Sequence, residues 1–325
     1  MRNSIGLWML LHPVVWGLFN RRDLPAYVFD RRFAIDRVDK GAVIRSEIGE
    51  ISIERFIKGG AFGHVFQGTL HSPSRGSVPV AVKCQRPDAP MLPFRGMIPK
   101  QYSMIEHEFK MMQMMSGTVG FPIIYTGNFK GREKCYVMQL LGKSLESIRT
   151  GSPNQRMRPA IVLPMAIQMI NRIEALHKMG YLAYDLHLGN FLYKTGTVYL
   201  IDLGLAYPYV VDGHHIKQTG SHIPGRMKNH ALTTRHDAMG VAYSRRDDIE
   251  RVLILVVYML AGRLPWTNVR KEHIVDMKTR INARSMTRDV PWMRRIMQYV
   301  FDLSFEDEPD YEFIRNEIEA KLRQV

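Results

Sequence analysis

Between Ile51 and Val82 the apolar runs are interrupted first by glycines and then by a Ser/Pro/Gly stretch, Ser72-Pro73-Ser74-Arg75-Gly76-Ser77. The pattern predicts strand, glycine turn, strand, hairpin loop, strand. Met104 to Met115 then has helical character, and Tyr136 to Leu141 reads as an apolar strand running into Gly142. A turn is expected at Gly151-Ser152-Pro153-Asn154. Beyond it, Pro164 to Lys178 places Ala166, Ile170, Ile173 and Leu176 at helical spacing. Val198, Leu200 and Ile201 form a short apolar run, and Val252 to Ala261 a longer one of ten residues, well short of the roughly 20 that a membrane span needs. Ile5 to Phe19 is also mostly apolar, but His12 and Pro13 interrupt it and no small-x-small cleavage site follows. It reads as a packing segment, a peripheral membrane helix or an unstructured tail rather than as a span or signal.

The chemistry gathers where these runs end. Asp185 and Asn190 stand five residues apart, and Asp202-Leu203-Gly204 closes the Val198–Ile201 run twelve residues after Asn190. Phosphoryl transfer uses this spacing: one carboxylate orients a hydroxyl, while the Asn and the second Asp hold magnesium. Upstream, Gly60-Ala61-Phe62-Gly63-His64-Val65 sits at the first strand turn, where small residues let backbone N–H groups approach phosphates. Taken alone, such a turn is also ordinary hairpin geometry. Lys83 ends the strand Val80-Ala81-Val82, and Glu108 on the Met104–Met115 helix can face it. A buried lysine needs such a partner to stay charged and aimed. Met111, Met112, Met114 and Met115 read as core packing.

Composition narrows the field. With 325 residues and 46% hydrophobic content, the chain can bury a sizeable core as one large domain or two lobes. Its two cysteines, Cys84 and Cys135, cannot build a disulfide framework. They read as small buried apolar residues in a reducing, cytoplasmic setting, with the nucleus as the alternative. The balance of 45 basic to 31 acidic residues gives +14, which attracts anions. The basic residues are scattered, without an arginine-rich tract or basic-aromatic alternation, so no nucleic-acid partner is expected.

Taken together, these residues resemble the eukaryotic protein kinases and, within them, the casein kinase I family, from about Ile51 to Arg315. The general parts are Val80-Ala81-Val82-Lys83, Glu108, Asp185, Asn190 and Asp202-Leu203-Gly204. Closer to casein kinase I are Thr118-Val119-Gly120-Phe121-Pro122, the stretch Val137 to Glu146, and Ser244-Arg245-Arg246-Asp247-Asp248-Ile249-Glu250. Leu264-Pro265-Trp266 and Phe305 to Tyr311 complete the set.

The resemblance implies an α+β, bilobal fold: an extension over 1–50, a β-rich N-lobe over 51–138, a helical C-lobe over 139–318 and a tail over 319–325. It implies an ATP- and magnesium-dependent enzyme that phosphorylates Ser and Thr of protein substrates, acting as a monomer. Lys83 would contact the α- and β-phosphates and pair with Glu108, and Asp185 would take the substrate hydroxyl proton. Asn190 and Asp202 would hold magnesium. Gly60, Gly63, Val65, Ala81, the gatekeeper Met138, Leu141 and Leu192 are the further nucleotide positions. Asp248 would brace the catalytic loop from a buried helix carrying the Val252–Ala261 run.

Departures from the family pattern matter as much. Lys58 replaces the first phosphate-loop glycine, Ala183-Tyr184 replaces His-Arg before the catalytic Asp, His187 replaces the catalytic-loop lysine, and Leu203 replaces the phenylalanine of Asp-Phe-Gly. They keep a second functional class open, a pseudokinase scaffold that binds nucleotide but transfers phosphate poorly. The Ser244–Glu250 segment argues against a small-molecule kinase. The resemblance also implies a taste for acidic or already phosphorylated sites. However, Ile274-Val275-Asp276-Met277 stands where the family carries a basic run, leaving Arg226, Lys228, Arg235, Arg270 and Lys271 as substitute cations. His214, His215, His222, His230 and His236 read as solvent-facing histidines of the activation segment. No cysteine accompanies them and their spacing is irregular for zinc.

Overall fold

The computed structural model describes residues 40–60, 63–86, 103–129, 134–218 and 232–325. The Ile5–Phe19 stretch, Ala61, Phe62, His222, Arg226, Lys228 and His230 lie outside them. The chain divides into two compact units: residues up to Leu141 with Val211–His214, and Gly142–Val210 with His215–Val325.

The first unit is built on one antiparallel sheet. Its strands are β1 (Val43–Ser46), β2 (Gly49–Gly59), β3 (Gly63–Ser72), β4 (Gly76–Gln85), β5 (Ile124–Asn128) and β6 (Cys135–Gln139), in the order β1-β2-β3-β4-β6-β5. One helix, α1 (Met104–Met115), accompanies them. The strand–turn–strand–loop–strand expectation and the Ser72–Ser77 hairpin are observed, with Ser72 opposite Gly76. The sheet begins earlier than the sequence suggested. Val43–Ser46 pairs with β2 because Ile44 and Ile51, both fully buried, complete its apolar face.

Alternation along the strands sorts two cores. Val80, Val82, Cys84, Cys135 and Val137 face one side with Ile44, Ile51, Ile53, Phe66 and Leu70. Ala81, Tyr136 and Met138 face the other, against Ile105 and Phe109 of α1. Because side chains alternate, Lys83 shares the α1 side with Ala81. Met111, Met112 and Met115 are buried, as a packing role requires.

Cys84 and Cys135 are buried as expected, but their sulfurs are joined in a disulfide. The two residues are direct cross-strand partners on β4 and β6, 4.1 Å apart at Cα. The neighbouring Gln85 N–H donates to the Lys134 carbonyl at 2.8 Å, which makes the cysteines the close, non-hydrogen-bonded kind of antiparallel pair. The pairing removes the observation from which a reducing compartment was read.

The second unit is mostly helical. It opens with β7 (Lys143–Ser144), α2 (Leu145–Thr150) and α3 (Pro159–Lys178), then β8 (Tyr181–Leu182), β9 (Phe191–Lys194), β10 (Thr197–Leu200) and β11 (Tyr207–Pro208). The helices α4 (Arg235–Ala238), α5 (Arg245–Ala261), α6 (Lys271–Arg280), α7 (Ala283–Met286), α8 (Arg294–Asp302) and α9 (Tyr311–Leu322) follow. The helix expected from Pro164 starts at Pro159 instead. Proline is favoured in a first turn, and Pro159 holds that place while Pro164 sits inside. Ala166, Ile170, Ile173 and Leu176 are all fully buried. α9 continues into the stretch read as tail. α5 opens with Asp247 accepting the Ser244 N–H at 2.9 Å and stops at Gly262, whose φ of +72° suits glycine. Val252–Val257 and Met259–Ala261 are buried, so the apolar run is a core helix. Among the described residues no helix is long and apolar enough to cross a membrane.

Closing the 51-residue loop between Cys84 and Cys135 removes unfolded-state entropy. By the chain-entropy relation this stabilises by about 4 kcal/mol. Reduction should therefore lower the denaturation midpoint of the first unit, measured with and without a thiol reductant. Coincident transitions would show that the bridge adds nothing.

Candidate active site

In the first unit, Lys83 Nζ donates to Glu108 Oε1 at 2.5 Å, with both side chains largely buried. The Tyr136 hydroxyl donates to the same oxygen at 2.8 Å. Strand alternation explains this: Lys83 and Tyr136 are direct partners across β4 and β6, on the side where α1 carries Glu108. Tyr136 was not singled out from the sequence; the two-residue period on β6 was its available signal. Ala81 pairs with Met138 on the same face, and Val65 lies opposite Lys83 on β3. Leu141 ends the unit.

The glycine turn is described at its flanks. Gly60 N–H donates to the Gly63 carbonyl at 2.8 Å, closing it. A Cβ on Gly63 would lie 2.6 Å from the Cys84 carbonyl oxygen, so only glycine fits there. Lys58 is exposed on β2 beside an irregularity in register.

In the second unit, the stretch between β8 and β9 carries Asp185, His187 and Asn190. Asp185 N–H donates to the Ala183 carbonyl at 2.7 Å, forming a three-residue turn with Tyr184 at its centre at φ +61°. Such backbone costs on the order of 1–3 kcal/mol and persists only where surroundings over-determine it. Here they do. Asp248, fully buried on α5, accepts the Ala183 N–H at 2.7 Å and the Tyr184 N–H at 3.0 Å. Arg251, one helical turn on, donates from Nη1 to the Tyr184 carbonyl. Asp248 also accepts from the Tyr243 hydroxyl at 2.7 Å and lies 3.0 Å from His177 Nε2, whose Nδ1 is 2.8 Å from the Tyr311 hydroxyl. The bracing role expected of Asp248 is met, and Arg251, His177, Tyr243 and Tyr311 join it without any local sequence signal.

Tyr184 fills the place of the family's arginine with a buried ring. It packs edge-on against Tyr243 and Tyr207, at centroid separations of 4.8 and 6.0 Å. Burial raises its hydroxyl pKa above the usual tyrosine value. His187 Nδ1 accepts the Gly189 N–H at 3.1 Å. In this contact Nδ1 is occupied as an acceptor, which leaves Nε2 as the ring's other hydrogen-bonding nitrogen.

Asn190 is buried, and its Nδ2 donates to the Asp185 carbonyl at 3.0 Å, which leaves Oδ1 as its remaining acceptor. Its own carbonyl accepts the Ile201 N–H at 2.9 Å, fastening the strand end that delivers Asp202. Asp202 adopts φ +64°. Two hard oxygen donors, one amide and one carboxylate, fit magnesium. Leu192 is half-buried on β9, and Leu203 is buried, keeping an apolar residue in the Asp-x-Gly position. The structure thus assembles Lys83, Glu108, Val65, Ala81 and Met138 in one unit, and Asp185, His187, Asn190, Asp202 and Leu192 in the other.

Residues 51–318 match the family of protein tyrosine and serine/threonine kinases. The chain belongs to that family. Its β-rich first unit and helical second unit are the two lobes of the protein kinase fold, mixed α+β. A kinase domain of this family implies protein substrates and, in general, the use of ATP with magnesium.

The kinase's activation segment ends in α4, which α6 supports. Lys278 Nζ donates to the Thr233 carbonyl at 2.5 Å and lies 4.1 Å from the Trp266 ring centroid. Burial, with Arg251 nearby, lowers its pKa to about 7. Between about pH 7 and the ordinary value of 10.5 the unfolded chain then holds the proton more tightly than the folded one. Stability should rise with pH across that window. Lys278→Met should flatten the rise, read as the difference between denaturation midpoints of the two proteins at each pH. Parallel pH curves would contradict the assignment.

Proposed function

We propose that this kinase is catalytically active, phosphorylates serine and threonine, and is of the casein kinase I type. The intact Lys83–Glu108 pair, with Tyr136 on the same carboxylate, supports nucleotide binding. A nucleotide-binding pseudokinase would keep this pair too; retention of Asp185, Asn190 and Asp202 in the same chain is what tips the reading towards phosphate transfer. The casein kinase I assignment and the preference for Ser and Thr rest on the sequence resemblance, strongest over Val137–Glu146 and Ser244–Glu250.

In this reading Lys83 holds the α- and β-phosphates. The substrate hydroxyl oxygen attacks the γ-phosphorus, the bond from that phosphorus to the β,γ-bridging oxygen breaks, and Asp185 takes the hydroxyl proton. Magnesium, held by Asn190 and Asp202, would supply charge neutralisation on the phosphates. Because Tyr184 is a packed ring, no arginine precedes Asp185 to grip a phosphorylated activation segment. Activity is therefore independent of such phosphorylation. Arg235, the best sequence candidate for reading a primed site, stacks on Phe301 at 4.1 Å. Preference for phosphorylated substrates is correspondingly weak.

Magnesium-ATP at millimolar levels should raise the melting temperature, and Asp202→Ala should abolish phosphate transfer to peptide substrates. Absence of both a thermal shift and label transfer from ATP in the wild type would overturn the active-kinase reading.

One observation favours slow turnover. Histidine is shorter than lysine and the His187 Nδ1 is taken up by the Gly189 N–H, so the ring is less able than a lysine to make a charge-assisted bond to the transferring phosphate. One such bond is worth on the order of 1.5–3 kcal/mol, or about ten- to a hundredfold in rate. His187→Lys should raise kcat within that range on a fixed peptide. A rate that stays level or drops would show that the histidine is not limiting.

A further inference from the structure

We propose that His236, Asp247 and Glu250 form a zinc site that fastens α4 to the start of α5. The expectation of solvent-facing histidines fails at His236, whose side chain is 15% exposed and whose Nδ1 is buried. One imidazole nitrogen and one oxygen from each carboxylate all lie within 4.8 Å of one another. Asp247 and Glu250 stand three residues apart on α5 and so share a face, while His236 comes from α4. His236 Nδ1 is 3.5 Å from Asp247 Oδ1. Ligands about 2.1 Å from a tetrahedral ion are about 3.4 Å apart, so this edge already fits.

The donor set selects the metal. A nitrogen with two carboxylates suits zinc, whereas magnesium favours oxygen alone. His236 Nδ1 has no hydrogen-bond partner, although it is buried, since 3.5 Å to Asp247 is too long for a good one. The carboxylates are held as ligating carboxylates are. Thr234 Oγ1 donates to Asp247 Oδ1 at 2.7 Å, Ser244 N–H to its Oδ2 at 2.9 Å, and Arg235 N–H to Glu250 Oε1 at 2.9 Å.

The competing reading is a His–Asp ion pair with no metal. The surrounding cations favour it: Arg246 Nε lies 3.7 Å from Asp247 Oδ2, and Arg235 and Lys278 act on Glu250. Against it stands the second carboxylate. Glu250 brings a further carboxylate oxygen within 4.8 Å of the imidazole nitrogen and of Asp247, a convergence that a His–Asp pair alone does not require.

The test uses the full-length chain carrying Asp202→Asn, which removes the carboxylate of the oxygen site. After chelator dialysis it is titrated with zinc at micromolar levels, and retained metal and melting temperature are both read. One retained equivalent with a raised melting temperature is expected. His236→Gln should lose the equivalent while still unfolding cooperatively without zinc. Thr234→Val, which removes a supporting hydroxyl, should weaken binding about 10- to 100-fold. No retained zinc, or an equivalent that survives His236→Gln, would overturn the proposal.

Discussion

One buried carboxylate organises the catalytic half of this kinase. Asp248 collects the Ala183 and Tyr184 N–H groups, the Tyr243 hydroxyl and His177 around two oxygens that no solvent reaches. Each partner is itself buried, so truncating Asp248 would leave several polar groups unsatisfied at once, at about 1–3 kcal/mol each. The arrangement can exist because α5 is buried along nearly its whole length, which holds Asp248 and Arg251 rigidly one turn apart. The left-handed turn at Tyr184 is the consequence: its N–H is fixed by one residue and its carbonyl by the other. Asp185 follows directly, so the position of the carboxylate proposed to take the hydroxyl proton is inherited from the helix core.

The other half depends on a simpler rule. Alternation on β4 and β6 sends Val82, Cys84, Cys135 and Val137 into one core, and Lys83 with Tyr136 to the face that α1 covers. The Cys84–Cys135 disulfide and the Lys83–Tyr136 pair that meets Glu108 are therefore adjacent rungs of one ladder, facing opposite sides of the sheet. Locking Cys84 to Cys135 also fixes the register that sets Lys83 opposite Tyr136, since a one-residue slip would reverse both.

What could be read in the sequence follows the range of the interactions. Lys83, Asp185, Asn190 and Asp202 stood out because each sits next to an apolar run with a fixed offset to its neighbour, and Glu108 because it lies on a helix able to face Lys83. The strands from Ile51 to Val82 and the α1 helix were legible for the same reason. Asp248 was readable through resemblance alone, since its partners come from residues 177, 183, 184 and 243, which share no local pattern. The disulfide needed a strand register that two isolated cysteines do not declare. His236 was misread because the sequence shows a histidine cluster, whereas its actual neighbours, Asp247 and Glu250, arrive from the next helix. Proline led the α3 boundary astray, because two prolines competed for one first-turn position.

The departures at Tyr184 and His187 have a common physical sense. In each, a side chain that would carry positive charge is replaced by one satisfied within the loop's own surroundings. Tyr184 packs among Tyr207 and Tyr243, and His187 takes the Gly189 N–H onto its ring. The catalytic loop is consequently held in place without a phosphorylated segment to order it. Of the two, the substitution at His187 is the one that takes a lysine away from the transferring phosphate, where electrostatic stabilisation is usually the largest catalytic term. A loop ordered by its own packing, at the cost of weaker charge stabilisation, fits the proposed reading of a constitutive and slow kinase rather than a switched and fast one.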